Sequence, residues 1–150
     1  MTMITALIED HRAMCAEFAR IEQVLPGLEQ SAAVKELAQH VEELLRKHAA
    51  AEEDFFLLVL GRHPEHKHAI GGVYREHQEI DGRLLNASAT SEIVQARQWL
   101  REAMDLSRRH FQHEEATVFP LIERVSEHAT LSKLGRIWRQ RRQDAAPWSE

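Results

Sequence analysis

An all-α fold, an up-down-up-down antiparallel four-helix bundle with a short extra C-terminal helix, is what this 150-residue sequence predicts. Three observations point to it. Apolar residues recur at spacings of three and four along four long stretches, the period of a helix face and not the alternation of a strand. Six Gly and four Pro are too few for the tight turns of an all-β protein, while 43% apolar residues are too many for a disordered chain. Short connections join the stretches, and antiparallel packing of neighbours is the simplest way to bury their stripes.

The first stripe runs Ile4, Leu7, Ile8, His11, Cys15, Phe18, Ile21 and Leu25, and Pro26-Gly27 ends it. The second starts after Ser31, a residue type that caps helix N-termini, and continues through Val34, Leu37, Val41, Leu44, Leu45, His48, Glu52, Phe55 and Val59 to Gly61. The third, from Pro64 to Ala87, carries Ile70, Val73, His77, Ile80 and Leu84. Gly71-Gly72 weakens it by about 1 kcal/mol per glycine relative to alanine. A polar loop from Asn86 to Ser91 precedes the fourth stripe, Ile93, Leu100, Ala103, Ser107, His110, Glu114, Val118, Leu121 and Val125, which Pro120 should kink.

Leu131 to Arg142 reads as a short amphipathic segment with Leu134, Ile137 and Trp138 near one side and Lys133, Arg136, Arg139, Arg141 and Arg142 on the rest, expected to pack across the bundle. The chain thus divides into a bundle over residues 1–130 and a basic helix and tail over 131–150 on the same domain.

Composition narrows the function classes. A net charge of −5 disfavours a general nucleic-acid binder. One cysteine, Cys15, allows no internal disulfide and no zinc-finger chemistry. The apolar run Phe55 to Leu60 falls far short of the roughly 20 residues of a membrane span. The N-terminus lacks the basic start and cleavage site of a secretory signal, so a cytoplasmic location is expected. Ten histidines accompany a single tyrosine, and imidazole is the commonest protein metal ligand.

Each of the four stripes is interrupted by a histidine: His11, His48, His77 and His110. Two are followed one turn later by a glutamate, Glu52 and Glu114, which stacks imidazole and carboxylate on the buried face. An unpaired carboxylate there is very costly. With about 1.5 Å of rise per residue, the six side chains fall about 12 to about 24 Å from one end of an antiparallel bundle, a spread that uncertain helix ends cover. They can converge. Four neutral imidazoles and two bridging carboxylates give each of two ions four protein ligands. A bridging oxide or hydroxide adds a fifth, and one octahedral position stays open for a small molecule. That arrangement suits non-haem iron better than a closed zinc site, with manganese also admissible.

These motifs resemble the bacterial hemerythrin-like proteins, or HHE cation-binding domain: an early His, His-x-x-x-Glu, a third His, and His-x-x-x-Glu before Phe-Pro. Here they read Asp10-His11-Arg12, His48 to Glu52, Glu76-His77-Gln78, and His110 to Glu114 with Phe119-Pro120, covering residues 11 to 120. The resemblance implies a four-helix bundle with a carboxylate-bridged di-iron centre, manganese or zinc ranking behind iron. His11 and His48 would ligate one iron, His77 and His110 the other, with Glu52 and Glu114 bridging. Oxygen-carrying members have a fifth histidine one turn before the third motif histidine, and Val73 stands there. The second iron is then left with an open site, a water, or a substitute donor such as Tyr74, Glu76 or Asp81. Implied functions are binding or sensing of dioxygen, handling of nitric oxide, reaction with peroxide, and redox or nitrosative stress response. A non-enzymatic redox sensor acting on a protein partner through the C-terminal basic helix, and an iron-handling protein, stay open as alternatives.

Other polar residues read more plainly. Cys15, one turn beyond His11, is a small buried hydrophobe before it is a ligand. His113, three residues after His110, suits an outer-sphere or surface role about as well as a ligand role. His40 and His128 are expected in solvent. The run Arg62 to His68 has no common helical face, so its histidines would bind metal adventitiously at most. Ferritin-type centres use Glu-x-x-His on two buried helices, and its one occurrence here, Glu65 to His68, lies outside the stripes.

Overall fold

A computed structural model of the protein describes residues 1–145. It is an all-helical bundle with no strand among the described residues: α1 (Met3–Val24), α2 (Ser31–Leu60), α3 (Lys67–Ala89), α4 (Ile93–His113), α5 (Phe119–Val125) and α6 (His128–Ala145). Short 3-10 turns at Leu25–Gly27 and Pro64–His66 carry Pro26 and Pro64 in their first positions, where a missing N–H costs nothing. No described helix is long and apolar enough to cross a membrane.

The elements follow the stripes, with local differences. Thr2 caps α1 by accepting a hydrogen bond from the Thr5 N–H at 3.3 Å. Ser31 is not the cap of α2: it is the first helical residue, and Gln30 holds the extended cap position without a side-chain hydrogen bond. Helix α3 runs unbroken through Gly71-Gly72 and on to Ala89, shortening the expected loop. The fourth stripe does bend before Pro120, through a π-helical turn over Glu114–Val118. Pro120 has no N–H to donate to the preceding turn, and the helix widens just ahead of it. The C-terminal helix begins earlier than Leu131 and packs on α1. Residues 146–150 of the expected tail lie outside the described residues.

The apolar core among the described residues falls into two clusters. One gathers Met14, Phe18 and Ile21 of α1, Val34, Ala38 and Val41 of α2, Ile80 and Leu84 of α3, and Leu100 and Met104 of α4. The other gathers Met3, Ile4 and Leu7, Phe55, Phe56 and Leu60, Val73, and Val118, Phe119 and Ile122, with Leu131 of α6. Between them in sequence, on α1, on α2 and across the end of α4, fall buried polar side chains: Asp10 and His11, His48 and Glu52, then His110 and Glu114. Partly buried His77 occupies the same interval on α3. The clusters are met in alternating order from helix to helix.

Helix α6 is seated by a close backbone approach. A Cβ on Gly135 would lie 2.8 Å from the carbonyl carbon of Thr2 and 2.9 Å from Met1 O and Met3 N, all of them backbone atoms that cannot swing aside. A Cβ on Gly82, within α3, would meet nothing within 4 Å. The same substitution should therefore act with opposite signs. Gly82→Ala raises stability by about 0.5–1 kcal/mol through the lost freedom of the unfolded chain, while Gly135→Ala lowers it by about 1–3 kcal/mol. Denaturant unfolding of both variants checks this; equal effects would show that α6 is not held against the start of α1.

Candidate metal centre

The six side chains that interrupt the stripes meet between the two apolar clusters. Potential ligand atoms of His11, His48, Glu52 and Glu114 all lie within 4.8 Å of one another, and so do those of Glu52, His77 and His110. The imidazoles pair across helices: Nε2 of His11 is 3.1 Å from Nε2 of His48, and Nε2 of His77 is 2.9 Å from Nε2 of His110. Each carboxylate spans the two pairs. Glu52 Oε1 lies 2.7 Å from His48 Nε2, and its Oε2 lies 3.9 Å from His77 Nε2. Glu114 Oε1 lies 3.3 Å from His11 Nε2 and 3.2 Å from His110 Nε2. The i,i+4 spacing places each glutamate one helical turn from its histidine, and the π turn begins at Glu114 itself.

The donor set fits cations. Glu52 and Glu114 are completely buried, yet Glu52 Oε2 and both oxygens of Glu114 receive no hydrogen bond among the described residues. Buried anionic oxygens without donors are expensive unless a positive charge faces them. Four imidazole nitrogens aimed at one another and at those oxygens form the mixed nitrogen and oxygen set that a transition-metal ion takes.

Two further carboxylates stand behind the imidazoles. Asp10 Oδ2 accepts from His48 Nδ1–H at 3.1 Å, and Glu76 Oε2 accepts from His110 Nδ1–H at 2.9 Å. With Nδ1–H committed outward, each ring turns Nε2 toward the centre. These partners were not assigned this role from sequence, although a signal existed: an acid directly precedes the stripe histidine at both Asp10-His11 and Glu76-His77. Glu76 also bonds the Nδ1 of His113, which resolves that residue as an outer partner. Glu76 is therefore engaged behind His110 and His113 and joins neither ligand group. Val73 itself is buried in the apolar cluster.

Aromatic rings fix His11, which stacks on Phe111 at 4.1 Å between ring centroids and on Phe119 at 5.6 Å. A cavity of about 560 Å³ reaches His48, His77 and His110 past Leu45, Ile80 and Phe111, with Gln39, Glu42 and Asp81 also on its walls. Asp81 thus faces the approach to the centre without joining either ligand group. Burial, with Glu42 nearby, pushes its carboxyl above the ordinary range.

The remaining histidines and Cys15 stay apart from both groups. Cys15 packs against the first apolar cluster, and His40 is exposed beside Glu17 at 2.9 Å. His128 is exposed at the start of α6. His63 and His66 face Glu65 at 3.2 and 3.8 Å in the connection before α3.

The family model of the hemerythrin HHE cation binding domain matches residues 2–122, which takes in all six of these side chains and stops short of α6. No curated protein and no solved structure gives a significant match.

Electrostatics in the metal-free chain make protons the competitors of a cation. Burial lowers the basicity of His48, but the charge of Glu52 and the bonds to Asp10 and Glu52 outweigh it and bring the pKa up to about 10. His110, likewise buried, is raised to about 9 by Glu114 and Glu76. Burial and the neighbouring His110 bring His77 down to about 4. Burial would raise the Glu52 carboxyl, but the charge of His48 and a bond from His11 hold it below its ordinary range. Proton competition therefore extends above the ordinary histidine value of 6.5.

The signs follow from linkage. Between pH 6.5 and about 9, His48 and His110 hold protons in the folded chain that the unfolded chain has lost, so stability falls as pH rises. Between pH 6.5 and about 4, the unfolded chain protonates His77 and the folded chain does not, so stability falls as pH drops. These groups give the metal-free protein a thermal midpoint that peaks near pH 6.5. A cation bound at these rings would displace the protons of His48 and His110 and should remove the alkaline decline. Melting curves of chelator-treated and loaded protein check this; identical pH profiles for the two forms would contradict it.

Proposed function

The chain belongs to the hemerythrin HHE cation-binding family, and from that premise we propose that it is a non-haem di-iron protein that binds dioxygen, nitric oxide or peroxide in redox or nitrosative stress response. His11 and His48 would hold one iron and His77 and His110 the other, with Glu52 and Glu114 shared between them. The observation that carries this reading is the pair of completely buried carboxylates, each reaching toward both histidine pairs, with Glu52 Oε2 and both Glu114 oxygens lacking hydrogen-bond donors among the described residues.

The alternating order of the two apolar clusters along α1, α2, α3 and α4 supports an up-down-up-down antiparallel bundle. The bundle spans residues 1–130, and the basic C-terminal helix belongs to the same domain. In such a bundle every helix crosses the ligand layer once, so the helices supply donors from four sides at one depth.

Iron held there supplies one-electron redox chemistry and a coordination position for a small ligand. The chain's own groups do the rest. Asp10 and Glu76 keep Nε2 of His48 and His110 directed at the centre. Phe111 and Phe119 stack on His11 and keep that side dry. His77, the most exposed of the four ring ligands at 17%, stands on the cavity through which a small molecule would arrive. Val73, buried in the apolar cluster, offers no donor one turn before it, so an ion there would have no fifth histidine of the kind oxygen-carrying members have.

Anaerobic loading with ferrous iron followed by metal analysis tests the reading. The expected result is two irons per chain and an optical spectrum that dioxygen, peroxide and nitric oxide each perturb differently. Glu52→Ala or Glu114→Ala should lose one or both irons, a larger effect than the roughly 10–100-fold loss of affinity that follows removal of an outer partner. Unchanged iron content in both variants would overturn the assignment.

A further inference from the structure

We propose that Arg142 of α6 is a positioning residue for the metal centre, acting through Asp10 on His48. The inference rests on the cation-binding reading above and extends it to a helix outside the residues that the family model matches.

The contacts form a continuous chain. Asp10 is only 4% exposed, and its two oxygens are divided between two donors. Oδ2 accepts from His48 Nδ1–H at 3.1 Å, while Oδ1 accepts from the guanidinium of Arg142. His48 Nε2 in turn lies 2.7 Å from Glu52 and 3.1 Å from His11 Nε2. Arg142 is held in place from its own helix: its guanidinium lies over the Trp138 ring at 5.1 Å. Leu131 of α6 is buried, and Gly135 fits against the backbone of residues 1 to 3.

A buried carboxylate that shares its charge between a guanidinium and an imidazole N–H depends on both. Removing Arg142 leaves Asp10 as a buried anion with its charge partner gone, and the ring it orients loses a fixed acceptor. The other half of the centre is built differently. Glu76, behind His110, is shared with His113 of α4 and makes no such contact with α6 among the described residues. Loss of Arg142 should therefore act on the cation held by His11 and His48 and spare the one held by His77 and His110. Linkage is reciprocal, so a cation at that half also tightens α6 onto α1.

Anaerobic titration of the full-length metal-free protein with cobalt(II), followed by its visible absorption, tests the proposal. The wild type should take up two equivalents. In Arg142→Ala one equivalent should weaken roughly tenfold, the lower end of the range for outer partners because Arg142 acts one residue further out. The other equivalent should be unchanged, Arg142→Lys should recover most of the loss, and Arg142→Ala should add no further loss to Asp10→Asn. Amide hydrogen exchange in α6 should slow on cobalt binding in the wild type and not in Arg142→Ala. Two unchanged equivalents in Arg142→Ala, equal weakening of both, or additive effects of Arg142→Ala and Asp10→Asn would overturn the proposal while leaving the metal centre intact. A wild type that takes up no cobalt would instead overturn the cation-binding reading, and this inference with it.

Discussion

Two carboxylates in the middle of a helical bundle, Glu52 and Glu114, have no access to water and too few hydrogen-bond donors among the described residues. Their charge has to be met from within the bundle, and the surrounding structure is organised around that demand. Without a cation, protons on His48 and His110 answer it, which is why those two imidazoles are held basic although burial alone would make them acidic. Apolar clusters on either side of the layer keep solvent out and keep the electrostatic terms strong. A core paying this cost in desolvation gains little stability over a hydrophobic one. Cation binding gives the arrangement its purpose.

The centre has an internal symmetry that the helices impose. In each half, an acid and a histidine are adjacent in sequence, Asp10-His11 on α1 and Glu76-His77 on α3. The acid bonds the outer nitrogen of the histidine on the next helix, and the neighbouring histidine faces that ring's inner nitrogen. The symmetry breaks in what stands behind the acids. Asp10 is tied to α6 through Arg142, and Glu76 to His113. It breaks again in exposure, with His77 open to the cavity and His11 sealed by Phe111 and Phe119. One half is thus tied to a further helix, and the other faces the cavity.

Much of this was legible in the sequence because ligands on helices obey the same period as the core. A histidine in an apolar stripe, with a glutamate one turn on, marks both a face and a depth. The helix ends near Pro26 and at Gly61 were legible because breaker residues act through steric and hydrogen-bonding rules that involve few residues. What escaped was nonlocal or a matter of degree. Pro120 announced a disturbance but not that it would take the form of a π turn starting at Glu114. Asp10 and Glu76 carried a signal, the acid-histidine doublet, whose meaning depends on a ring in another helix. The Arg142 contact to Asp10 spans 132 residues of sequence, and the spacing that sets Arg142 one turn beyond Trp138 cannot say which residue of another helix it meets. Ser31 lost the cap position to Gln30 because an end residue is decided by backbone entry into the helix more than by side-chain type.

Diffraction from crystals of the metal-loaded protein, with anomalous data collected at the iron edge, tests the central claim most directly. The account predicts two anomalous peaks in the buried layer, one beside His11 and His48 and one beside His77 and His110, with the carboxylates of Glu52 and Glu114 between them. Density confined to the surface histidines near Glu65, with Glu52 and Glu114 still lacking any cation, would contradict it.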